Sequence, residues 1–380
     1  MTAVRVIDSI RPYVESGEVP GAIVGLLRDG SVTVEAAGST SPGGAPLTTD
    51  TPMRVASNTK PLAAAAALAL VEDGVLDLDD PIERYLPALA DRRVLRRVDA
   101  ALDDTVPADR SITVDDLLTM RGGFGFVTDG DSPVVDAAAG AQLGMGPPDP
   151  SIPPDPQEWV ARFAELPLLD QPGTIWRYEF SYGILGVVLA ESAGQSLDEL
   201  LRARLLAPLG MDDTAFVAPS GLPPCFARAE SGLEVFDEAS AESRWATPPT
   251  FPDARNGLIS TAADLLRFAG ALLDGGGGVL SSDSVVAMTT DHLTDAQRRA
   301  PSAQAFLDGH GWGYGVQVVD PDHDDSVTLA RYGWGGGFGT LWYTWPQQAT
   351  AAVMLTQVLP PSDEMISSFV GGVEALLGTA

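Results

Sequence analysis

The chain is 380 residues long, 45% hydrophobic and 20% charged, with 23 basic against 52 acidic residues and a formal net charge of −29. The length allows two lobes around a sizeable core, and the composition is that of a globular protein. The charge disfavours nucleic acid and anionic membrane as partners, since both need a positive surface. One cysteine excludes an internal disulfide, and no apolar run reaches the roughly 18 residues of a membrane span.

Residues 3–14 have helical apolar spacing, and Asp8 and Glu15 stand where a signal peptide would need an apolar stretch, so a cytoplasmic protein is expected. GAIVGLLR (21–28) and SVTVEAA (31–37) read as strands joined by Asp29-Gly30, a strong hairpin signal. SNTKPLAAAAALALVEDG then reads as a helix, with Pro61 tolerated in its first turn and Gly74 at its end.

From 81 to 258 helical segments predominate, in ITVDDLLTM, DPQEWVARFAEL, SYGILGVVLAESAG and LDELLRARLLAPLGM. The stretch 122–156, rich in Gly, Pro and Asp, has little periodicity and reads as a lid, a binding loop or disorder. A helix over 262–274 and the breaker GGGG at 275–278 lead to strands in HGWGYGVQVVD, DSVTLARYG, FGTLWYTWP and ATAAVMLTQ, and a helix over about 362–377 closes the chain. An α+β fold is expected. Segments 1–80 and 259–380 would build one antiparallel sheet flanked by N- and C-terminal helices, with 81–258 as an inserted, mainly helical lobe. The lobe junction is where a cleft would fall.

The basic residues are all arginine except one, Lys60. A permanently charged guanidinium cannot replace an amine that must give up a proton, so this position stands out. Ser57 lies three residues earlier, at the start of the Ala-rich helix. Free backbone N–H groups and the helix dipole favour negative charge there, and Lys60 is within side-chain reach. The pair suits a serine nucleophile deprotonated by an unprotonated, desolvated lysine. Alone, S-x-x-K is equally a capping serine followed by a surface lysine. Cys225, in LPPCFAR, has no histidine nearby to activate it and reads as a buried small side chain. His292, His310 and His323 lack ligand spacing, so no metal site is expected.

The text around Ser57 resembles the serine β-lactamase, penicillin-binding protein and family VIII carboxylesterase superfamily. TPMRVASNTKPLAAAAALALVEDGVLDLDDPIERYLP is similar to its nucleophile helix, ITVDDLLTMRGGFG to its LLTHTSGL element, and PGTIWRYEFSYGILGVVLAESAG to its second motif. LLAPLGMDDTAF, GLISTAADLLRFAGALLDGGG and RYGWGGGFGTLWYTWPQQATAAVMLTQ continue the likeness in order to the final active-site strand.

The resemblance implies that Tyr178 relays a proton beside Ser57 and Lys60, a general acid/base role. Tyr182, in an apolar run, is the rival and is given a core role. It also implies that Trp334, Gly335 and Gly336 line the substrate, with the Gly337 and Ser57 amides as oxyanion hole. Two departures matter. Glu179 and Phe180 follow Tyr178, so the asparagine that often contacts an amide is missing. Trp334 and Gly335 replace the cationic or hydroxylic residues that usually hold a β-lactam carboxylate. Both move the expectation from β-lactams towards ester cleavage or acyl transfer on a small-molecule acyl substrate, without cofactor. Transfer to an amine or alcohol, a D-amino acid peptidase or weak β-lactamase, and a non-catalytic binding protein are the alternatives. Oligomeric state leaves no mark on the sequence.

Overall fold

The structure, a computed structural model, describes residues 5–128, 130–321 and 327–378. His323, and the first residues of the strand expected in DSVTLARYG, lie outside the described residues. Helix α1 (Val6–Glu15) buries Val6, Ile7 and Ile10. Strands β1 (Gly21–Arg28) and β2 (Ser31–Gly38) form the expected hairpin, Arg28 opposite Ser31. Asp29 and Gly30 take φ of +49° and +73°, the two-residue turn that matches strand twist.

The helices that frame the site are α2 (Thr59–Glu72), α3 (Ser181–Ala193), α4 (Ala262–Leu273) and, at the C-terminus, α5 (Asp363–Leu377). Five more strands complete the sheet: β3 (Gly311–Trp312), β4 (Gln317–Val319), β5 (Arg331–Gly336), β6 (Thr340–Trp345) and β7 (Thr350–Leu355). Their order is β2-β1-β7-β6-β5-β4-β3, antiparallel throughout, so both ends of the chain build one sheet.

On one face α1 and α5 pack on Leu341, Tyr343, Trp345, Ala352 and Met354. On the other α4 covers the sheet, with Phe268 edge-on to Trp342 and Leu266 so close to Gly25 that a Cβ there would stand 2.9 Å from it. Because both faces are covered, β6 and β7 are buried at every residue and read as continuous apolar runs rather than alternating ones. Helix α2 is buried from Thr59 to Leu70, the pattern of a central helix rather than a surface one.

The structure departs from the expected elements in several places, among them a helix at Pro133–Gly140 inside the stretch 122–156 and a short strand pair, Arg93–Leu95 with Thr105–Pro107, in the helical segment. The run HGWGYGVQVVD is two strands, because a turn at 313–316 with Gly315 at φ +81° folds β4 back on β3. That turn lies on α2, where a Gly315 Cβ would come within 3.0 Å of the Lys60 carbonyl. Residues Cys225–Ala229 and Gly232–Asp237 form a hairpin inside the expected helical segment, with Val358–Leu359 alongside in parallel. The helix at Leu197–Leu201 passes into a π-turn at Arg202–Leu206. Among the described residues, no helix is long and apolar enough to cross a membrane.

The 225–237 hairpin is joined to the segment that leads into Ser57 by a buried ion pair. Arg54 donates to the Asp237 carboxylate, to the carbonyls of Pro223 (2.7 Å) and Glu238 (2.8 Å), and to Gln357 Oε1 (3.1 Å). Burial would push the Asp237 carboxyl up, but the Arg244 amide, the Ser243 hydroxyl and Arg54 together hold it below the ordinary value. Removing one partner of such a pair strands a charge in the interior. Arg54→Ala is therefore expected to lower unfolding free energy by about 3–5 kcal/mol, measured by urea denaturation.

Candidate active site

The segment that carries Ser57 is held from both sides. Met53–Arg54 pairs with Ile259–Ser260, the Val55 amide donates to the Leu258 carbonyl at 3.0 Å, and the Leu258 amide donates to Thr59 Oγ1 at 3.1 Å. Ala56 takes φ +46°, a left-handed conformation costing a residue with a Cβ about 1–3 kcal/mol, and it stands immediately before Ser57. A short 3₁₀ turn, Ala56–Asn58, then runs into α2.

Ser57, Lys60 and Tyr178 converge. Lys60 Nζ is 2.9 Å from Ser57 Oγ and 3.0 Å from Tyr178 Oη, and the Tyr178 hydroxyl lies 2.6 Å from Ser57 Oγ. Lys60 is 0% exposed and Ser57 6%. Lys60 also donates to the Arg255 carbonyl at 2.7 Å and to Glu179 Oε2 at 3.1 Å. Four oxygen acceptors thus surround the Lys60 nitrogen. The Lys60 nitrogen lies 4.5 Å from the centre of the Tyr178 ring.

Trp334 meets this cluster from β5, its indole N–H donating to Tyr178 Oη at 2.9 Å. Strand β4 pairs with Arg331–Gly333 and goes no further, so among the described residues no strand covers that edge at 334–337. Gly336 lies flush against the segment that carries Ser57: a Cβ there would be 2.4 Å from the Val55 carbonyl and 3.2 Å from the Ala56 Cβ. Gly335 is half-buried, and Gly337 is exposed with open space around it. The three glycines thus form a free strand edge one residue from the backbone that carries Ser57.

Further residues reach the site that the sequence did not signal. Glu179 pairs with Lys60 while its Oε1, also buried, has no hydrogen-bond partner among the described residues. An unsatisfied buried acceptor costs about 1–3 kcal/mol, more when charged. The only sequence cue was an acid beside Tyr178. Arg255 stacks on Trp159 and Phe180, grips Asp253, and donates to the carbonyls of Leu143 and Gly144, both at 3.1 Å. Burial would lower its guanidinium, but Asp253 and the nearby Glu179 hold it above the ordinary value.

Several contacts fix the stretch 122–156. Arg255 holds it at Leu143 and Gly144, and Arg244 pairs with Asp149. The start of the same loop lies on the site, the Phe126 amide donating to the Tyr178 carbonyl. Phe306, from the short helix Pro301–Leu307, stands 4.7 Å from the Tyr178 ring and 6.0 Å from Phe126. Tyr182 takes the core position, donating to the Leu118 carbonyl at 3.0 Å. His292 stacks on Tyr314.

A serine and a lysine one turn apart at a helix start, opposite a free strand edge, is the architecture of serine hydrolases that pass through an acyl-enzyme, and this protein is an enzyme of that type. The Beta-lactamase family matches residues 6–370, nearly the whole chain, and the protein belongs to it. Protein Rv1367c of Mycobacterium tuberculosis is 34% identical over 97% of this chain and 93% of its own. Esterase EstB of Burkholderia gladioli is 30% identical over 88% of this chain and 85% of its own. Among solved structures, EstCE1, described as a hydrolase with promiscuous acyltransferase activity, superposes with a TM-score of 0.82 at 22% identity, covering 97% of both chains.

Two outcomes follow from this geometry. Trp334→Phe keeps an aromatic ring but removes the hydrogen bond to Tyr178, so kcat is expected to fall about 3- to 10-fold in a steady-state assay, with the fold intact by circular dichroism. Cys225 is buried, and burial pushes its thiol up to about 11. A disulfide reagent at pH 8 is therefore expected to leave the native protein untouched and to titrate one thiol per chain in urea.

Proposed function

We propose that the protein cleaves small-molecule esters through an acyl-enzyme on Ser57. The observation that carries this is the closed triangle of Ser57 Oγ, Lys60 Nζ and Tyr178 Oη, with sides of 2.9, 3.0 and 2.6 Å, in a pocket where the amine is fully buried. Ser57 attacks the acyl carbon as its proton passes to Lys60. The Ser57 and Gly337 amides hold the oxyanion, and Tyr178 delivers a proton to the departing alcohol. Water then enters by the same relay in reverse and releases the acid.

The acyl group is uncharged on this reading. Trp334 and Gly335 stand where a carboxylate-binding residue would be needed, and Phe126, Phe306 and Trp334 supply aromatic surface around the Tyr178 ring. The substrate enters between the sheet-bearing segments 1–80 and 259–380 and the segment 81–258, and Gly335 and Gly336 let it approach the strand edge closely. We read the enzyme as cytoplasmic, meeting metabolites rather than cell wall.

Transfer of the acyl group to an alcohol or amine is the second reading. It is favoured by the near-closure of the site, with Ser57 6% exposed, and by the acyltransferase activity in the description of EstCE1. Product ratios with and without an added nucleophile separate the two.

A fluorophosphonate is expected to add once per chain, at Ser57, by intact mass and peptide mapping. Lys60→Arg should lose at least about 10³-fold in p-nitrophenyl ester turnover and stay folded, since a guanidinium cannot accept the serine proton. Near-normal rates in Lys60→Arg would remove Lys60 from the mechanism.

A further inference from the structure

Glu179 is the member of the buried cluster to which the Ser57–Lys60–Tyr178 relay gives no task. Its carboxylate is as buried as the groups that do the chemistry, 4% exposed, and it hydrogen-bonds Lys60 directly at 3.1 Å. We propose that Glu179 is a positioning residue of the acylation step: its carboxylate keeps the Lys60 amine within reach of Ser57 and offsets the positive charge that Lys60 gains on taking the serine proton. The proposal rests on the reading of Ser57 as nucleophile and Lys60 as proton acceptor.

The surroundings favour this over a passive ion pair. Among the described residues Lys60 is the one group that hydrogen-bonds the Glu179 carboxylate and Oε1 has no partner, so the acid is not tied down by a structural network. The contrast within this protein is Asp237, whose two oxygens are taken up by Arg54, Ser243 and Arg244. The charged and titratable groups facing Glu179 are few. Lys60 approaches from α2 and Tyr178 precedes it in the chain, while Arg255 stands near with its guanidinium held by Asp253. A base oriented by a third group is the general logic of nucleophile activation, with lysine and glutamate here in the roles of base and orienting acid.

The step balances without any further reactant. The Ser57 O–H bond breaks, Oγ bonds to the acyl carbon, and the proton joins Lys60 Nζ as an ammonium facing Glu179. A proton then returns through Tyr178 to the leaving oxygen as the acyl C–O bond breaks, and Lys60 is again an amine. Glu179 keeps its charge throughout. A fixed anion beside the nitrogen stabilises the positive charge that forms there as the serine proton arrives.

The experiment uses the sole lysine. Protein labelled with [ζ-¹⁵N]lysine gives a single side-chain amine signal, which is followed against pH in wild type and Glu179→Gln, the isosteric variant that retains an oxygen for Lys60. The pH profile of that signal is expected to differ between the two proteins. The rising limb of kcat/KM should move with it, and kcat should fall at least about tenfold while KM changes less than about twofold. Coincident titrations with kcat within about twofold of wild type would overturn the proposal. If Glu179→Gln does not fold, Glu179→Asp, which keeps the charge but withdraws it by one methylene, is expected to lower kcat with KM unchanged, and an unaltered kcat overturns it. Fluorophosphonate labelling is run alongside. No adduct on wild type sinks the Ser57 reading itself, whereas an adduct with an unmoved Lys60 titration sinks the role of Glu179 alone.

Discussion

The structure around the site follows from one requirement, that a fully buried lysine nitrogen be surrounded by acceptors. An unpaired amine or ammonium in an apolar interior is too costly to keep. Lys60 therefore draws in three separate stretches of chain: the turn that bears Ser57, the Tyr178–Glu179 segment, and the carbonyl of Arg255. Each is fixed in turn by something else. Trp334 ties Tyr178 to β5, Thr59 and Leu258 tie the turn to the 253–260 segment, and Arg255 ties that segment to the loop at 143–144. The site is a packed, hydrogen-bonded interior that happens to meet a strand edge, rather than a cleft with side chains placed around it.

The sheet supplies the other half of the precision. β5 and β6 are joined through Gly336 and Thr340, and Thr340 Oγ1 donates to the Val55 carbonyl at 3.0 Å while accepting from Asn58 Nδ2 at 3.2 Å. The glycine at 336 is required by this contact, since any side chain would collide with the Val55 backbone. The strand edge at Gly336 and the turn that carries Ser57 are thus referenced to each other at backbone level.

Much of this was legible in the sequence because the relevant signals are local. The hairpin turn at Asp29-Gly30, the apolar helices α2 and α3, and the Ser57–Lys60 spacing each depend on neighbours within a few residues. The solitary Lys60 was informative by contrast with every other basic position. What the sequence did not reveal depends on distant partners. The hairpin at 225–237 has an exposed outer strand and is held by Arg54 and by Val358–Leu359, from remote parts of the chain. The role of Glu179 could not be separated from an ordinary acid until Lys60 was seen beside it. Phe306 and Phe126 come from a short helix and an unpatterned loop, and only the fold brings their rings together at Tyr178.

The isolation of Lys60 also makes the molecule an instrument for its own motions. No other side chain carries a primary amine, and this one is sealed from solvent, so a reagent that modifies lysine can reach it only when the interior parts. The speed of such modification, followed at low denaturant, counts openings of the site one at a time and separates them from unfolding of the sheet.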